Sequence, residues 1–420
     1  MSTASEDGGA SGAKAAIIVV GIVVFVIKMF IIAVICQRRA QTDSSTVTPD
    51  DRFLTLTMDK FLNDIEREKP IRFTSQQLRI ATENFTHFLG SGGFGAVFKG
   101  IFSNGTVAAV KVLHANSYKS IEEQFMAEVS TIGRIHHFNL LRLHGFCFER
   151  DLIALVYEYM GNGSLDKYLF RENKVLGFDK LHDIAIGTAK GIAYLHEECQ
   201  QRIIHYDIKP ENILLDAKFF PKVADFGLAK LCNRENTHIT MTGRRGTPGY
   251  AAPELWMPYP VTFKCDVYSF GMLLFEIIGR RRNLEINLPE SQEWLPKWVW
   301  KKFENGELQE TTIALGVEEN DRERAERMMK VALWCVQDKP EARPVMSVVV
   351  KMLEGGIDIP TPSYPFRHIL GGSPGSEQPA GPSWNGSTFD FSSSMATESS
   401  LMIGATPIMK KYEIEMAASA

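Results

Sequence analysis

An aspartate, a lysine and an asparagine fall within six residues of one another in the run His205-Tyr206-Asp207-Ile208-Lys209-Pro210-Glu211-Asn212. Thirteen residues after Asn212 comes Asp225-Phe226-Gly227. Asp207 is suited to accept or orient the proton of a hydroxyl, and Lys209 to face phosphoryl charge. Asn212 and Asp225 offer the hard oxygen ligands that magnesium takes. Together these groups supply what moving the γ-phosphoryl of ATP to an alcohol requires.

Such chemistry needs a cradle for the phosphates. Leu89-Gly90-Ser91-Gly92-Gly93-Phe94-Gly95-Ala96-Val97 contains Gly-x-Gly-x-x-Gly-x-Val. A dinucleotide-binding fold uses similar glycines, but there the loop opens a helix. Here Ala96-Val97-Phe98-Lys99 continues as a strand, and Asn104-Gly105 turns the chain into a second strand, Val107–Val112. A glycine turn between two strands forms a flap whose backbone can approach phosphates closely. A glycine-rich turn with no ligand is the plainer reading, and the downstream motifs weigh against it.

Lys111 lies near the end of that second strand. Ile121, Phe125, Glu128 and Ile132 recur at helical spacing, which places Glu128 on the apolar face of a helix. A carboxylate on a buried stripe needs a partner. Lys111 is the natural one, and it would also hold the α- and β-phosphates. His136 and His137, expected to close this helix, read as structural or solvated rather than as metal ligands. Leu181, Ile184, Ala185, Thr188, Ile192 and Leu195 fit one face of a later helix, with Asp179 as its expected N-cap. That helix delivers the loop 203–212.

The glycine flap, Lys111, Glu128, the loop around Asp207, Asp225-Phe226-Gly227 and Ala252-Pro253-Glu254 occur in order at workable spacings. Over roughly residues 84–355 the chain resembles a eukaryotic protein kinase. Lys209-Pro210-Glu211-Asn212 and Gly246-Thr247-Pro248-Gly249-Tyr250 resemble the serine/threonine form. Tyr259-Pro260-Val261-Thr262, Cys265–Gly271 and Arg280-Arg281-Arg282-Asn283 are similar to plant receptor-like kinases, notably the leaf-rust-resistance type.

The resemblance implies an α+β, two-lobed kinase fold with ATP and Mg2+ in the cleft between the lobes. It implies that Leu89–Val97, with Ala109 and Lys111, enclose the nucleotide. Backbone groups of Glu158 and Met160, at the hinge after the apolar strand Leu155–Met160, would bind adenine, with Tyr157 at the back of the pocket. It implies that Asp266 anchors the catalytic loop, that Glu254 pairs with Arg343, and that Thr247 faces the substrate. The family's usual arginine before the catalytic aspartate is here Tyr206, which carries no cation to bind an activation-loop phosphate. Within the family, that change is associated with plant innate-immune receptors. Activity is therefore expected not to depend on a phosphate held at position 206, whether on Thr237, Thr240 or Thr242. Arg244 and Arg245 are the other cations nearby, and a solvated basic patch is their plainer reading.

A pseudokinase or scaffold is the competing function. Gly90, Gly92, Gly95, Lys111, Glu128, Asp207, Asn212 and Asp225 are all present, which favours an active enzyme. A tyrosine kinase is disfavoured by Lys209.

The chain has 420 residues, 45% of them hydrophobic, and a net charge of −4, so no basic field points to nucleic acid. Six scattered cysteines without a Cys-x-x-Cys pair read as reduced cytosolic thiols. Residues 15–36 are apolar except for Lys28. As a helix they would reach about 33 Å, enough for a bilayer core of about 30 Å. A central lysine costs roughly 2.5–3.5 kcal/mol, against roughly 0.3–0.6 returned by each aliphatic or phenylalanine side chain, so insertion is expected. A cleaved signal peptide is the rival, and Arg38-Arg39 stand where small residues would mark cleavage.

The expected order is an outer N-terminus (1–14), a single transmembrane helix (15–36), a juxtamembrane segment (37–83), a cytoplasmic kinase domain (84–355) and a flexible tail (356–420). Fourteen outer residues bury no core. Hence either a separate ligand-binding receptor at the plasma membrane is the partner, or the sequence comes from a truncated gene model or a splice form.

Overall fold

The computed structural model describes residues 70–367, apart from 94, 115–117, 134, 172–175, 233–245 and 258–259. The expected membrane helix, Phe94, Thr237, Thr240, Thr242, Arg244, Arg245 and the tail after 367 lie outside the described residues. Among the described residues no helix is long and apolar enough to cross a membrane.

A six-stranded sheet, order β1-β5-β6-β4-β3-β2, forms a smaller lobe. Its strands are β1 (Ile71–Arg72), β2 (Phe88–Gly92), β3 (Gly95–Ile101), β4 (Val107–Leu113), β5 (Leu143–Glu149) and β6 (Leu152–Glu158). All pairs are antiparallel except β1 with β5. The glycine loop joins β2 to β3, so it is a hairpin flap and not the strand-to-helix turn of a dinucleotide fold. Asn104-Gly105 turns β3 into β4, with Gly105 at φ +79° and the Asn104 side chain accepting from Thr106 N–H at 3.0 Å. The strands alternate as period-two patterning requires. Ala108, Val110, Ala154 and Val156 join a core on one face, under helix α1 (Ser75–Ala81) and its buried Leu78. Ala109, Lys111, Leu155 and Tyr157 take the opposite parity.

β1 and α1 were expected in the juxtamembrane segment, but they complete this lobe. Thr74 caps α1 in a reciprocal capping box with Gln77. Helix α2 (Tyr118–Ile132) buries Phe125, Glu128, Val129 and Ile132. It ends before His136 and His137, which lie in the following loop, where His137 stacks on Tyr194 at 4.8 Å.

The larger lobe is helical. Helix α4 (Phe178–Ala193) follows the short α3 (Asp166–Leu169). The N-cap of α4 lies two residues before the expected Asp179: Gly177 is the cap, and Asp179 pairs instead with Arg324. α5 (Lys264–Gly279) is almost wholly buried, with α6 (Leu295–Glu304), α7 (Leu308–Ala314), α8 (Arg322–Cys335) and α9 (Met346–Leu353) packed beyond it. Cys147, Cys199, Cys232, Cys265 and Cys335 are buried and in no disulfide. The flexible tail was expected from 356, yet Pro362, Pro365 and Phe366 are buried, Phe366 fully.

Near the end of α5, Glu276 is 2% exposed. It accepts from Tyr250 OH at 2.7 Å and Asn283 N–H at 3.0 Å, and among the described residues no cation is bonded to it. Burial pushes its carboxyl from 4.5 up to about 7, against those two hydrogen bonds. The folded state thus binds this proton more tightly than the unfolded state. The associated stability is present below the unfolded value and is lost as pH rises through about 7. The shift corresponds to roughly 3 kcal/mol. Glu276→Gln is expected to remove that pH dependence and to melt above wild type at pH 8. Parallel melting curves from pH 5 to 8 for the two proteins would refute this.

Candidate active site

The loop 205–212 hangs from one buried carboxylate. Asp266 Oδ2 accepts from His205 N–H and Oδ1 from Tyr206 N–H, both at 2.8 Å. His196 Nε2 reaches the same Oδ2 at 2.9 Å. His196 comes from a π-helical turn, Tyr194–Glu198, that continues α4. The wider turn changes the rotation of the residues that follow, and so His196 faces inward beside Leu195. Sequence reasoning missed His196, although it follows Ile192 by four residues at the edge of the apolar stripe.

Within the loop, Tyr206 adopts φ +67° and is 2% exposed. Its carbonyl packs where Gly246 turns at φ +92°; a Cβ on Gly246 would meet that oxygen at 2.9 Å. Asp207 is buried. Its Oδ2 pairs with Lys209 Nζ at 2.9 Å and accepts from Asn212 Nδ2 at 2.9 Å. Its Oδ1 accepts from Thr247 Oγ1 at 2.5 Å, and Thr247 in turn accepts from Lys209 at 2.7 Å. Asn212 also donates to the Asp207 carbonyl at 2.8 Å. With both of these acceptors on its nitrogen, the Asn212 amide oxygen is turned away from Asp207.

Asp225 adopts the left-handed conformation, φ +64° and ψ 74°. The backbone locks the segment before it to the loop: Ala224 N–H donates to Asn212 C=O at 2.9 Å, and the His205 ring meets Ala224 C=O at 3.0 Å. Lys111 Nζ lies 2.6 Å from Glu128 Oε1 and 2.8 Å from Asp225 Oδ1. Burial works against the charged amine, but Glu128 and then Asp225 outweigh it and hold Lys111 above the usual lysine range. For Asp225 burial pulls upward, while the Lys111 charge and hydrogen bond, with His205 and Lys209 beyond, keep the carboxyl below its ordinary value. The expected Lys111–Glu128 pair is thus formed, and the Lys111–Asp225 contact adds to it.

Tyr157 also donates to Glu128 Oε2, a bond the sequence did not disclose. Tyr157→Phe would leave that buried oxygen without its donor, a loss of about 1–3 kcal/mol. A melting temperature several degrees lower and a raised KM for ATP are expected. Wild-type values for both would show that Glu128 is held by Lys111 alone.

The remaining predicted residues line up around these groups. Leu89 to Gly93 and Gly95 to Val97 form the β2–β3 hairpin, and Val97 is in register with Lys111 across β3 and β4. Gly95, at φ +146°, lies so close to β4 that a Cβ would meet Val112 O at 2.1 Å. Ala109 is in register with Tyr157. Glu158 ends β6; its N–H donates to Arg142 C=O at 3.1 Å, and its carboxylate accepts from Arg142 N–H and pairs with Lys222. The Met160 carbonyl accepts from Gly163 N–H at 3.1 Å. Glu254 and Arg343 form the expected buried pair, at 2.6 and 2.9 Å.

Residues 84–353 match the family described as protein tyrosine and serine/threonine kinase. The chain belongs to this kinase family. The kinase is 49% identical over 296 residues to a G-type lectin S-receptor-like serine/threonine-protein kinase of Arabidopsis thaliana, covering 69% of this chain and 34% of the relative. It is 43% identical over 320 residues to the rust resistance kinase Lr10 of Triticum aestivum, covering 74% and 50%. A leaf rust 10 disease-resistance locus receptor-like protein kinase-like protein of Arabidopsis thaliana is 38% identical over 363 residues, covering 84% and 54%. The kinase therefore spans between a third and just over half the length of these relatives. The relatives' names agree with the resemblance read from the sequence, including its leaf-rust-resistance branch.

Proposed function

We propose that the kinase transfers the γ-phosphoryl of ATP to serine or threonine hydroxyls of proteins, with Mg2+ bound. The observation that carries this is two contact sets, Lys111 with Asp225 at 2.8 Å and Asp207 with Lys209 and Asn212 at 2.9 Å each, joined by the bond from Ala224 N–H to the Asn212 carbonyl, with the loop held by the buried Asp266. Magnesium fits the oxygens on hand: the Asn212 amide oxygen, turned away from Asp207, and the Asp225 carboxylate. Two protein ligands suit an ion that keeps waters and takes phosphate oxygens. When bound, it neutralises phosphate charge.

The chain's own residues do the rest. The Glu158 carbonyl and the Met160 amide are the hinge groups for adenine. The β2–β3 flap covers the phosphates, and Lys111, kept charged by Glu128, binds them. Asp207 orients the substrate hydroxyl and takes its proton. Lys209 bridges Asp207 and Thr247 and faces the moving phosphoryl charge. Tyr206, buried and without a cation, supports activity that needs no phosphate clamped there.

The full chain incubated with radiolabelled ATP and Mg2+ should label itself or a basic protein on serine and threonine, and the Asp225→Asn form should not. Labelling on tyrosine alone, or none, would overturn the reading. The finer reading is a receptor-type kinase of plant defence signalling, held at the plasma membrane by residues 15–36 with its catalytic domain in the cytoplasm. The apolar run of those residues and the names of the rust-resistance relatives support it. Alkaline extraction of membranes should leave the intact chain in the pellet and release a form lacking 1–36.

A further inference from the structure

Residues 357–367 lie beyond the family match, yet they run as an extended strap over α8 and α6. Arg327 donates to the Ile357 carbonyl at 3.3 Å and Trp334 Nε1 to the Pro360 carbonyl at 2.8 Å. Phe366 is buried with its ring 4.6 Å from Trp294, and Tyr364 meets Trp300 edge-on at 5.4 Å. One residue is gripped at two points. Gln337 Nε2 donates to the Ser363 carbonyl at 2.9 Å, and Ser363 Oγ donates to Gln337 Oε1 at 2.6 Å. Ser363 is exposed, whereas Gln337 is 3% exposed. The Gln337 carbonyl in turn accepts from Arg343 Nε at 2.7 Å, and Arg343 holds Glu254 in the segment that follows Thr247.

We propose that Ser363 is a phosphoacceptor site and that its phosphorylation unlatches this strap; the proposal rests on the kinase reading above. The Ser363 oxygen bonds to the γ-phosphorus as the bond to the β–γ bridging oxygen breaks. ADP leaves with that electron pair, and the hydroxyl proton passes to Asp207 of a second copy. The docked hydroxyl faces Gln337, so the strap is modified while open, and the phosphate prevents its return. Phosphoserine has lost the donor that Gln337 Oε1 requires and sets about −1.5 to −2 of charge and further acceptors against that buried oxygen. Gln337 cannot turn its amide to compensate, because Nε2 already serves both Leu333 C=O and Ser363 C=O. Opening uncovers Trp294, Trp300 and Trp334. It also loosens Gln337 under Arg343, so protein-substrate binding changes and ATP binding does not.

The test uses full-length protein. Wild type and Mg-ATP are mixed with an Asp225→Asn copy, whose phosphates are mapped by mass spectrometry. Hydrogen exchange is then compared for Ser363→Glu and for Thr361→Glu, which places the same charge on the strap away from Gln337. Phosphate on Ser363 is expected, with exchange across 357–366 about tenfold faster in Ser363→Glu only. KM for a protein substrate should rise at unchanged KM for ATP. Phosphate elsewhere but never on Ser363 would overturn the site, and unchanged exchange in Ser363→Glu would overturn the latch. No phosphate on any residue would overturn the kinase reading and the modification together.

Discussion

Asp207→Asn is expected to lower phosphotransfer by about 10²–10⁴-fold while the protein melts near wild type. The substitution keeps the size of a 3%-exposed side chain that accepts from Lys209, Thr247 and Asn212. It removes the carboxylate proposed to take the hydroxyl proton. Asp225→Asn should be as severe for a different reason: it removes the carboxylate that lies 2.8 Å from Lys111 and is the proposed charged ligand for the metal. The two variants separate in binding. Asp207→Asn should retain magnesium-dependent affinity for a fluorescent ATP analogue, whereas in Asp225→Asn added magnesium should no longer tighten it. Turnover within a few-fold of wild type in either variant would remove that residue from the chemistry.

Much of this site was legible because charge in a core demands compensation. Glu128 on an apolar stripe required a cation, and Lys111 was the one the hairpin could supply. The flap was legible because Asn104-Gly105 identified the strands on either side. His196 was not, because its partner Asp266 lies 70 residues further along the chain. Asp179 misled for a related reason: it has the side chain of a cap, but Arg324, 145 residues away, engages it. The strap and β1 were hidden by composition. Ile71-Arg72 is too short for a period-two signal, and the proline-rich Pro360–Phe366 reads as linker until Trp294, Trp334 and Gln337 are brought beneath it. What escaped the sequence are the contacts whose partners lie far along the chain and whose local text resembles loop.

Arg343→Ala is expected to cost about 3–5 kcal/mol, the usual penalty for stripping one partner from a buried ion pair. Arg343 is fully buried and Glu254 is 2% exposed. The guanidinium grips both carboxylate oxygens and donates also to the carbonyls of Gln337, Lys264 and Asp338. Alanine would leave the Glu254 charge without its cation and three carbonyls short of a donor. Lys264 cannot step in, because its amine already donates to the Arg343 carbonyl and is pushed down to about 8 by burial and by the Arg343 charge. The melting temperature should fall by about 10 °C or more for a domain of this size. Arg343→Lys restores the charge without the two-pronged geometry and should recover only part of the loss. Pairing Arg343→Met with Glu254→Gln removes both charges, and the double variant should melt above Arg343→Met alone. If the double variant instead melted at the sum of the two single losses, the ion pair would not be what ties the substrate-facing segment to the large lobe, and packing around Tyr268, whose ring lies 5.0 Å from the guanidinium, would take its place.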